Sequence, residues 1–541
     1  MILSTAKNIA YKASVAAKSI QVMREAGLAG RPSEGIRSAI AVRKYGPFAG
    51  VIEIGARRDP HAVALVDELG ELTFQQIDQR ANALARAWAQ QGIRTGTVIA
   101  ALCRDHRGLV TVMAASGKAG AKLLLMNTGF AKPQLTEVGQ RENVRALVYD
   151  EEFTGLLDGI GPEVRRYLSW VDADSKLTGG DVPLIEELAA STDGSPVPVP
   201  EKAGSFILLT SGTTGTPKGA PREKTSPLAS AQMLDRIPLR AGESTHLAAP
   251  MFHATGLGLA LLSFALGCKV VLRRRFDPEK TLQAVADNKC TTLVVVPTML
   301  QRIIDLGPAI LEKYDTSSLR IIFAAGSAIA PDTVMRTLDT FGPVLYNLYG
   351  STEVAVATVA QPDELRKAPT TAGRSPVGVR VRLYDDSGKQ ITEPRTIGRI
   401  FVGSGLSFQG YTDGRNKEII DGLLSSGDVG HFDEDGLLFV DGRDDDMIVS
   451  GGENVYPLEV ENLLADREDV LEAAVIGVPD DEFGQRLKAF VVPAEGAKVE
   501  ADDIKAYVKS NLARYKVPRD VDFLDELPRN ATGKLLRDKL S

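Results

Sequence analysis

The chain has 541 residues, which is too long for one ordinary domain, so its length predicts two or more hydrophobic cores. Hydrophobic residues make up 44% and charged residues 25%, as in ordinary soluble globular proteins, and the formal net charge of −7 argues against a general nucleic-acid binder, which would carry a basic excess. The three cysteines stand far apart without metal-ligand spacing, which indicates buried thiols in a reducing compartment. We therefore expect a cytoplasmic protein.

The first 31 residues differ in character from the rest of the chain. Basic residues outnumber the single acid, Glu25, and apolar residues are interleaved among them. The segment lacks the uninterrupted apolar stretch of a secretory signal, and no apolar run in the chain is long enough to span a bilayer. Two interpretations stay open: an amphipathic helix in peripheral contact with the inner face of the membrane, and a helix packed on the main body. We treat residues 1–49 as an N-terminal extension.

From about residue 50 to 370, short apolar, β-branched runs alternate with helical patterns. Strands are predicted at 205–209, 269–272, 292–296 and 320–323, and helices at 226–234, 278–286 and 331–341. Buried strands separated by helices indicate parallel or mixed sheets with helices on both faces, which is a doubly wound α/β architecture. In such sheets ligands bind at the carboxyl ends of the strands.

The pattern changes twice in the last third of the chain. From about residue 373 to 442, glycine and aspartate separate short alternating segments, which predicts antiparallel hairpins forming a small β-barrel-like subdomain. Beyond residue 445 a helix at 457–466, strands at 473–478 and 488–492, and a helix at 502–512 predict a smaller α+β domain. The sequence thus predicts a large domain over 50–444 and a C-terminal domain over 445–541.

One loop carries the strongest chemical signal. It directly follows the predicted strand at 205–209 and combines glycines, hydroxyl side chains and a lysine: Thr210, Ser211, Gly212, Thr213, Thr214, Gly215, Thr216, Pro217, Lys218, Gly219. Glycines let the backbone approach an anion, while the hydroxyl and N–H groups can donate to phosphate oxygens. A Walker A loop is excluded because Pro217 occupies the position of its second glycine. The loop therefore predicts a phosphate site of another class.

This loop resembles the phosphate-binding loop of the adenylate-forming superfamily, which includes acyl- and aryl-CoA synthetases. A second motif of that superfamily, Y-G-x-T-E, is matched further along the chain by Tyr349, Gly350, Thr352 and Glu353. By this resemblance Tyr349 lies against the adenine, Thr352 contacts the α-phosphate, and Glu353 helps to hold Mg²⁺. An aromatic face and a hard oxygen ligand suit those two roles.

Two further segments follow in the order that the superfamily shows. Asp428, within Ser-Gly-Asp, resembles the aspartate that binds the ribose hydroxyls, and Arg443 resembles the arginine that contacts the ribose or phosphates. The resemblance also makes Asp445 the hinge about which the C-terminal domain rotates. It implies that the loop at Gly451 and Gly452 lines the path of the incoming thiol.

The resemblance completes the set with three more positions. Lys534, in the run Pro-Arg-Asn-Ala-Thr-Gly-Lys, resembles the catalytic lysine of the adenylation step. His253 resembles the histidine that borders the acyl pocket, with a lining and gating role, and Gly326 resembles the backbone stretch beside the adenine. The implied catalytic set is Lys534, Glu353, Thr210 and His253.

The resemblance implies an enzyme that uses ATP and Mg²⁺ to convert a carboxylic acid to its adenylate. The acyl group then passes to coenzyme A, with release of AMP and pyrophosphate. The amphipathic N-terminus and the apolar stretch after His253 favour a medium- or long-chain fatty acid. An aryl-CoA ligase and a ligase that loads a carrier protein stay open as alternatives. A degenerate, non-catalytic relative is disfavoured because the catalytic set is complete.

Overall fold

The structure is a computed structural model that describes residues 2–28, 32–172, 175, 182–209, 219–221, 230–351, 353–404, 417–444, 446–450, 453–480, 484–512, 514–530 and 534–540. The chain divides into two compact units. Unit 1 comprises residues 1–295, 305–323 and 405–416, and unit 2 comprises residues 296–304, 324–404 and 417–541. The boundaries at residues 50 and 445 that the sequence suggests remain predictions.

Unit 1 begins with helices and continues as alternating strands and helices. Its helices are α1 Ile2–Glu25, α2 Pro32–Tyr45, α3 Pro47–Arg58, α4 Phe74–Gln90, α5 Arg107–Lys118, α6 Lys132–Arg141, α7 Ile185–Ser191, α8 Ser230–Leu234, α9 Ala254–Ala265, α10 Pro278–Asn288 and α12 Pro308–Leu311, with a 3₁₀ helix at Glu151–Gly159. Its strands are β1 Val63–Asp67, β2 Gly70–Thr73, β3 Val98–Leu102, β4 Lys122–Leu125, β5 Ala146–Asp150, β6 Arg165–Trp170, β7 Ser205–Leu209, β8 Gly219–Pro221, β9 Ser244–Leu247, β10 Lys269–Leu272 and β11 Thr292–Val295.

Unit 2 contains the remaining elements, and strand β12, Ile321–Ala325, spans the boundary in the chain. Its helices are α11 Pro297–Ile304, α13 Pro331–Phe341, α14 Pro362–Lys367, α15 Pro457–Ala465 and α16 Ala501–Asn511, with 3₁₀ helices at Arg514–Lys516 and Arg537–Lys539. Its strands are β13 Leu345–Tyr349, β14 Thr358–Ala360, β15 Arg380–Tyr384, β16 Gln390–Ile391, β17 Gly398–Gly403, β18 Ile419–Ile420, β19 Leu423–Phe432, β20 Leu438–Arg443, β21 Ile448–Ser450, β22 Glu453–Val455, β23 Val470–Asp480, β24 Gly484–Pro493 and β25 Asp520–Phe523.

Unit 1 contains mostly parallel sheet. One sheet has the strand order β6-β5-β3-β4-β7-β8, in which only β7 and β8 pair antiparallel. Side chains of α6 and of the first 3₁₀ helix share one core with one face of this sheet, as Leu135 and Phe153 illustrate. Helix α5 contacts β3 and β4 as well. A second run of neighbouring strands has the order β11-β9-β10-β1-β2. The α/β expectation is confirmed.

Unit 2 contains two further sheets. The first is antiparallel, with the order β16-β15-β17-β19-β18 and with β20 paired to β19. It forms the segment in which the sequence predicts hairpins. The second has the order β22-β21-β24-β23, with β25 parallel to β24, and α15 and α16 share its core through Val460 and Ile504. This smaller C-terminal α+β domain was also expected from the sequence.

The predicted N-terminal helix is present as α1. Its C-terminal half faces the body of unit 1, since Ser19, Val22 and Ala26 are buried and the helix contacts α8. Tyr11 and Ile20 of the same helix are about half exposed, at 49% each. Within the described part of the chain, no helix combines the length and apolar character that a bilayer span requires.

Candidate active site

Three of the predicted nucleotide-binding side chains meet in unit 2. Strand β13 ends at Tyr349, whose hydroxyl donates a hydrogen bond of 2.5 Å to Oδ2 of Asp428. Nε of Arg443 lies 3.4 Å from the other carboxylate oxygen, Oδ1. Asp428 and Arg443 are directly opposite each other on the antiparallel strands β19 and β20. A carboxylate braced on both sides in this way is held in one orientation.

The electrostatics of this cluster favour a fixed hydrogen-bond donor and acceptor. Burial raises the pKa of Tyr349 well above its usual value, and the charge of Asp428 raises it further. Tyr349 therefore stays protonated at physiological pH, and its hydroxyl donates a hydrogen bond to the carboxylate. Asp428 remains an acceptor, which is the chemistry needed to receive hydrogen bonds from the two hydroxyls of a ribose.

The turn after Tyr349 explains the glycine of this motif. A Cβ atom on Gly350 would lie 1.8 Å from the carbonyl oxygen of Ala355, so only glycine fits. The same turn carries Glu353, whose backbone N–H donates to Oγ of Ser351 at 3.2 Å. Thr352 lies outside the described residues. Glu353 is half-buried and follows strand β13 closely in the chain.

The turn before Asp428 brings a further cation to the site. Gly427 has a positive φ of 81°, and its N–H donates to Oγ of Ser425 at 3.2 Å. A Cβ atom on Gly427 would lie 3.2 Å from Nζ of Lys417 and 3.4 Å from Nη2 of Arg443. Two positive groups therefore border this glycine. Lys417 lies outside every recognisable motif, so no sequence signal points to it.

Gly326 follows strand β12 at its carboxyl end. It has a positive φ of 116° and is exposed. Such a φ is accessible to glycine at little cost, so the residue type is explained by the turn. Its position at the end of a strand agrees with a place beside a ligand, and its contact with adenine remains a prediction.

The phosphate loop itself lies outside the described residues: Thr210, Ser211, Gly212, Thr213, Thr214, Gly215 and Lys218 fall within the gap at 210–218. Its two flanks are described. Strand β7 ends at Leu209 and pairs antiparallel with β8, where Leu209 is opposite Gly219. The strand that the sequence places directly before the loop has the predicted limits.

His253 lies in unit 1 at the start of helix α9. Its backbone carbonyl accepts the N–H of Leu257 at 2.9 Å, and its ring contacts that of Phe252 at a centroid distance of 4.3 Å. Burial lowers the pKa of His253 to about 4, so the ring is neutral at physiological pH. Its Nε2 is buried and has no hydrogen-bond partner among the described residues. A neutral ring agrees with a lining role and argues against acid–base work.

A buried carboxylate supports the segment that carries His253. Asp105 follows strand β3, and its two oxygens each lie 3.2 Å from the N–H of Met251. Burial, together with the charge of Asp150, raises the pKa of Asp105 to about 7, while the hydrogen bond from Met251 and the charge of Arg104 oppose the shift. Burying a carboxylate away from water costs free energy, and the hydrogen bonds from Met251 partly offset that cost. The sequence offered no signal for Asp105, because its partner is a backbone N–H more than a hundred residues away.

Asp105 predicts a pH dependence of stability. Because its pKa is higher in the folded chain than the usual 3.8, the folded state binds the proton more tightly and gains stability at low pH. That gain is complete below about pH 4 and is lost as the pH rises to about 7, by a few kcal/mol. We compare the free energies of unfolding of the wild type and of Asp105→Asn. The difference, wild type minus variant, should decrease as the pH is raised from 5 to 8. Urea unfolding of both chains measures it, and a difference independent of pH would contradict it.

Lys534 lies in a hydrogen-bonded segment of unit 2. We call its described residues, 528–530 and 534–536, the lysine arm. The N–H of Lys534 donates to Oδ1 of Asn530 at 2.9 Å, and its carbonyl accepts the N–H of Asn530 at 2.9 Å. The N–H of Leu536 donates to the carbonyl of Pro528 at 2.8 Å. The backbone on both sides of Lys534 is therefore held in place.

The predicted hinge and thiol loop fall in gaps of the description, since Asp445, Gly451 and Gly452 lie outside the described residues. The neighbours of Asp445 are described. Oδ2 of Asp444 lies 3.2 Å from Nε of Arg399, and Oδ2 of Asp446 lies 3.4 Å from Nε of Arg537. Rotation about Asp445 remains a prediction.

Comparison with known proteins agrees with this geometry. The family model described as AMP-binding enzyme matches residues 52–412, and the AMP-binding enzyme C-terminal domain matches residues 459–534. The chain belongs to the AMP-binding enzyme family. It is therefore a member of the adenylate-forming superfamily and an AMP-forming acid–thiol ligase.

Relatives of this AMP-binding enzyme include proteins of different substrate classes. It is 31% identical over 501 residues to the indoleacetate–CoA ligase of Aromatoleum aromaticum, covering 90% of this chain and 96% of that one. It is 30% identical over 497 residues to a fatty acid–[acyl-carrier-protein] ligase of Streptomyces coeruleorubidus, covering 90% and 94%. Among solved structures, o-succinylbenzoate CoA synthetase from Bacillus subtilis, in complex with its acyl-adenylate intermediate, matches with a TM-score of 0.77 and 26% identity, covering 91% of this chain and 97% of that one.

Proposed function

We propose that this AMP-binding enzyme activates an aromatic or other cyclic carboxylic acid with ATP and transfers the acyl group to coenzyme A. The observation that carries the nucleotide half of the proposal is the Tyr349–Asp428–Arg443 cluster, in which one carboxylate is oriented by a tyrosine hydroxyl at 2.5 Å and an arginine at 3.4 Å. This arrangement at the end of strand β13 supports a role for Asp428 as the acceptor of hydrogen bonds from a ribose.

In the first step the acid's carboxylate attacks the α-phosphorus of ATP. A bond forms between the carboxylate oxygen and phosphorus, and the bond from that phosphorus to pyrophosphate breaks. No covalent enzyme intermediate is needed, so the work of the protein is to neutralise and orient the phosphates. Lys534, Lys218 and the loop beginning at Thr210 supply positive charge and donors for this work.

The residues present fit a magnesium ion that is held mainly by the nucleotide. Among the described residues no cluster of three or more His, Cys, Asp or Glu side chains could form a complete metal cage. Mg²⁺ typically uses one or two carboxylates together with substrate phosphates and water. Glu353 would supply that carboxylate, and the ion would neutralise phosphate charge.

In the second step the thiol attacks the carbonyl carbon of the adenylate. A carbon–sulfur bond forms, AMP leaves, and the thiol proton passes to solvent. The lysine must vacate the site to admit the thiol. Rotation about Asp445 would remove Lys534 and bring in the loop at Gly451 and Gly452, which is a hinge-type domain change.

The choice of a cyclic acid over a fatty acid has two supports. The indoleacetate and o-succinylbenzoate enzymes are named for ring-containing acids. In addition, the apolar stretch that suggested a fatty acid is explained by packing. Leu257, Leu259 and Phe264 of helix α9 are at most 4% exposed, and the Phe264 ring contacts Phe48 at a centroid distance of 5.5 Å. Those side chains belong to the core of unit 1 and give no reason to infer a long acyl channel.

A panel of acids tests the proposal. Arylacetic, cinnamic-type and alicyclic acids are compared with straight-chain acids of eight to sixteen carbons, and ATP–pyrophosphate exchange and AMP release are measured with and without CoA. We expect exchange without CoA, AMP release only with CoA, and the highest kcat/KM with a cyclic acid. A higher kcat/KM with straight-chain acids would overturn the cyclic assignment and favour a fatty-acid ligase.

A second candidate acceptor is the phosphopantetheine thiol of a carrier protein. It is favoured by the 30% identity to the carrier-protein ligase of Streptomyces coeruleorubidus. The same acid panel is run with a phosphopantetheinylated carrier protein in place of CoA. Acyl transfer to the carrier with none to CoA would exclude the CoA proposal.

Peripheral membrane contact through residues 1–31 is a further proposal, supported by exposed basic and apolar side chains of α1. Lys12 and Lys18 are exposed on that helix near Tyr11 and Ile20. We expect co-sedimentation with anionic vesicles at low salt, and a reduction of about fivefold for each of Lys12→Glu and Lys18→Glu, because each basic residue contributes about 1 kcal/mol near an anionic surface. The control Lys389→Glu changes an exposed lysine elsewhere. Equal sedimentation of all four chains would refute the contact.

A further inference from the structure

Arg537 lies three residues beyond Lys534 and is embedded in a network of partners. Its Nη1 donates to Oε1 of Glu461 at 2.7 Å and its Nη2 to Oε2 at 3.0 Å, which is a bidentate ion pair with helix α15. Nη1 also donates to the carbonyl oxygen of Val475 in strand β23 at 2.5 Å. Nε lies 3.4 Å from Oδ2 of Asp446. One guanidinium thus joins a helix, a strand and the segment after the predicted hinge.

The partner of this arginine is itself buried and occupied. Glu461 has a side chain only 9% exposed, and its Oε1 also accepts the N–H of Val475 at 2.7 Å. Breaking a buried ion pair by removing one partner leaves an uncompensated charge, whereas the intact pair adds little net stability. Such a network is therefore better explained by the geometry it imposes than by the stability it contributes.

The network is connected to Lys534 through the backbone. Strand-like pairing joins Arg529 to Leu535, and the amide of Leu536 donates to Pro528. Leu535 packs against the core formed around Phe490. The arm that carries Lys534 is thus held by hydrogen bonds on one side and by Arg537 immediately after it.

The two neighbours of the predicted hinge residue are held on opposite sides. Asp444 contacts Arg399 of strand β17, which precedes the hinge in the chain, and Asp446 contacts Arg537, which follows it. Asp444 is thus tied to a residue before the predicted hinge, and Asp446 to a residue after it. With both neighbours tied in this way, a rotation would be confined to Asp445. The lysine arm would then turn as one body with the residue after the hinge.

We propose that Arg537 is a positioning residue that ties the Lys534 arm to Asp446, so that the lysine reaches the phosphates when the hinge is in its adenylation position. This rests on the proposed function, because it assumes that Lys534 acts in adenylation. In the thioester step the lysine has left the site, so Arg537 matters little there. A residue that acted only on stability would affect both steps alike.

The test compares Arg537→Ala and Arg537→Lys with the control Arg467→Ala. Arg467 also forms an ion pair near the end of α15, with Asp469 at 2.6 Å, but its contacts in the described part of the chain do not include Asp446. For Arg537→Ala we expect ATP–pyrophosphate exchange to fall about 10²-fold, as displaced catalytic groups commonly cause, with less than about a threefold change in thioester formation from supplied acyl-adenylate. Arg537→Lys keeps the charge and should recover part of the exchange. Equal loss in both steps would overturn the proposal.

A second measurement gives an answer that does not depend on the acid substrate. Hydrogen exchange is followed at the amides of Asn530, Lys534 and Leu536, which are all hydrogen-bonded in the arm. In Arg537→Ala these amides should exchange at least about tenfold faster while those of helix α16 do not change. Unchanged protection of the arm would refute the positioning role, even for a chain that is inactive on every acid tested. If the wild-type chain showed no ATP–pyrophosphate exchange while the amides of the arm responded as expected, only the proposed function would be refuted.

Discussion

Replacing Lys534 by alanine is expected to lower ATP–pyrophosphate exchange by about 10²- to 10³-fold, while thioester formation from supplied acyl-adenylate keeps much of its rate. The reason is that the first step develops negative charge on the phosphates, whereas the second needs the same space for a thiol. The arm holding Lys534 is fixed by hydrogen bonds of 2.9 Å to Asn530, so removal of the side chain leaves its backbone in place. The two steps are measured separately with radiolabelled pyrophosphate and with synthetic adenylate.

The control for this experiment is Lys539→Ala, which removes an exposed lysine from the 3₁₀ helix that follows the arm. It should leave both rates within about twofold, as surface substitutions generally do. Equal loss of the two steps in Lys534→Ala would contradict the separation of roles. If Lys534→Ala changed neither the rate of ATP–pyrophosphate exchange nor that of thioester formation, Lys534 would not be a catalytic residue.

Replacing Asp428 by asparagine is expected to raise the KM for ATP by about 10- to 10²-fold, because a hydrogen bond to a charged acceptor contributes about 1.5–3 kcal/mol. Asparagine has nearly the same shape but loses the charge that faces Arg443 at 3.4 Å. The sharpest readout is sugar specificity. Wild type should prefer ATP to 2′-deoxy-ATP, and Asp428→Asn should lose much of that preference, as steady-state kinetics with both nucleotides will determine.

The matched control is Tyr349→Phe, which removes only the hydroxyl that orients Asp428. We expect a smaller rise in the KM for ATP, about fivefold or about 1 kcal/mol, with the sugar preference retained, since Asp428 keeps its charge and its contact with Arg443 and loses only the hydrogen bond from Tyr349. If Asp428→Asn kept full discrimination against 2′-deoxy-ATP, the carboxylate would not be the ribose acceptor. A thermal melt of each variant separates loss of binding from loss of folding.

Much of the fold could be predicted from local pattern. The run at 205–209 is strand β7, the run at 269–272 is β10 and the pattern at 331–341 is helix α13, each with the expected limits. These segments combine a clear period of apolar residues with flanking prolines or glycines, which are strong local signals. Strand β23 extends further than predicted, over Val470–Asp480, because its pairing with β24 continues past the apolar centre that the sequence reveals.

The motifs predict Tyr349, Asp428 and Arg443 as nucleotide-binding residues, and the structure brings the three side chains into contact. Their spacing in the sequence does not indicate that Asp428 receives a hydrogen bond from Tyr349. That contact depends on the pairing of β19 with β20 and on where β13 ends. Asp105 and Arg537 could not be found from the sequence, because each contacts a partner distant in the chain, and Lys417 lies outside every motif.

The resemblance of the ordered motifs to the adenylate-forming superfamily was sufficient to indicate the class of enzyme. The apolar periods along the chain were sufficient to predict an α/β fold with a smaller C-terminal domain, since these depend on local residue types. Tertiary structure alone decided that Asp105 supports the segment of His253, that Arg537 joins the lysine arm to Asp446, and that the apolar helix α9 belongs to the core. The physical reason is that a hydrogen bond or ion pair is specified by strand register and packing, which bring together residues that no local pattern connects.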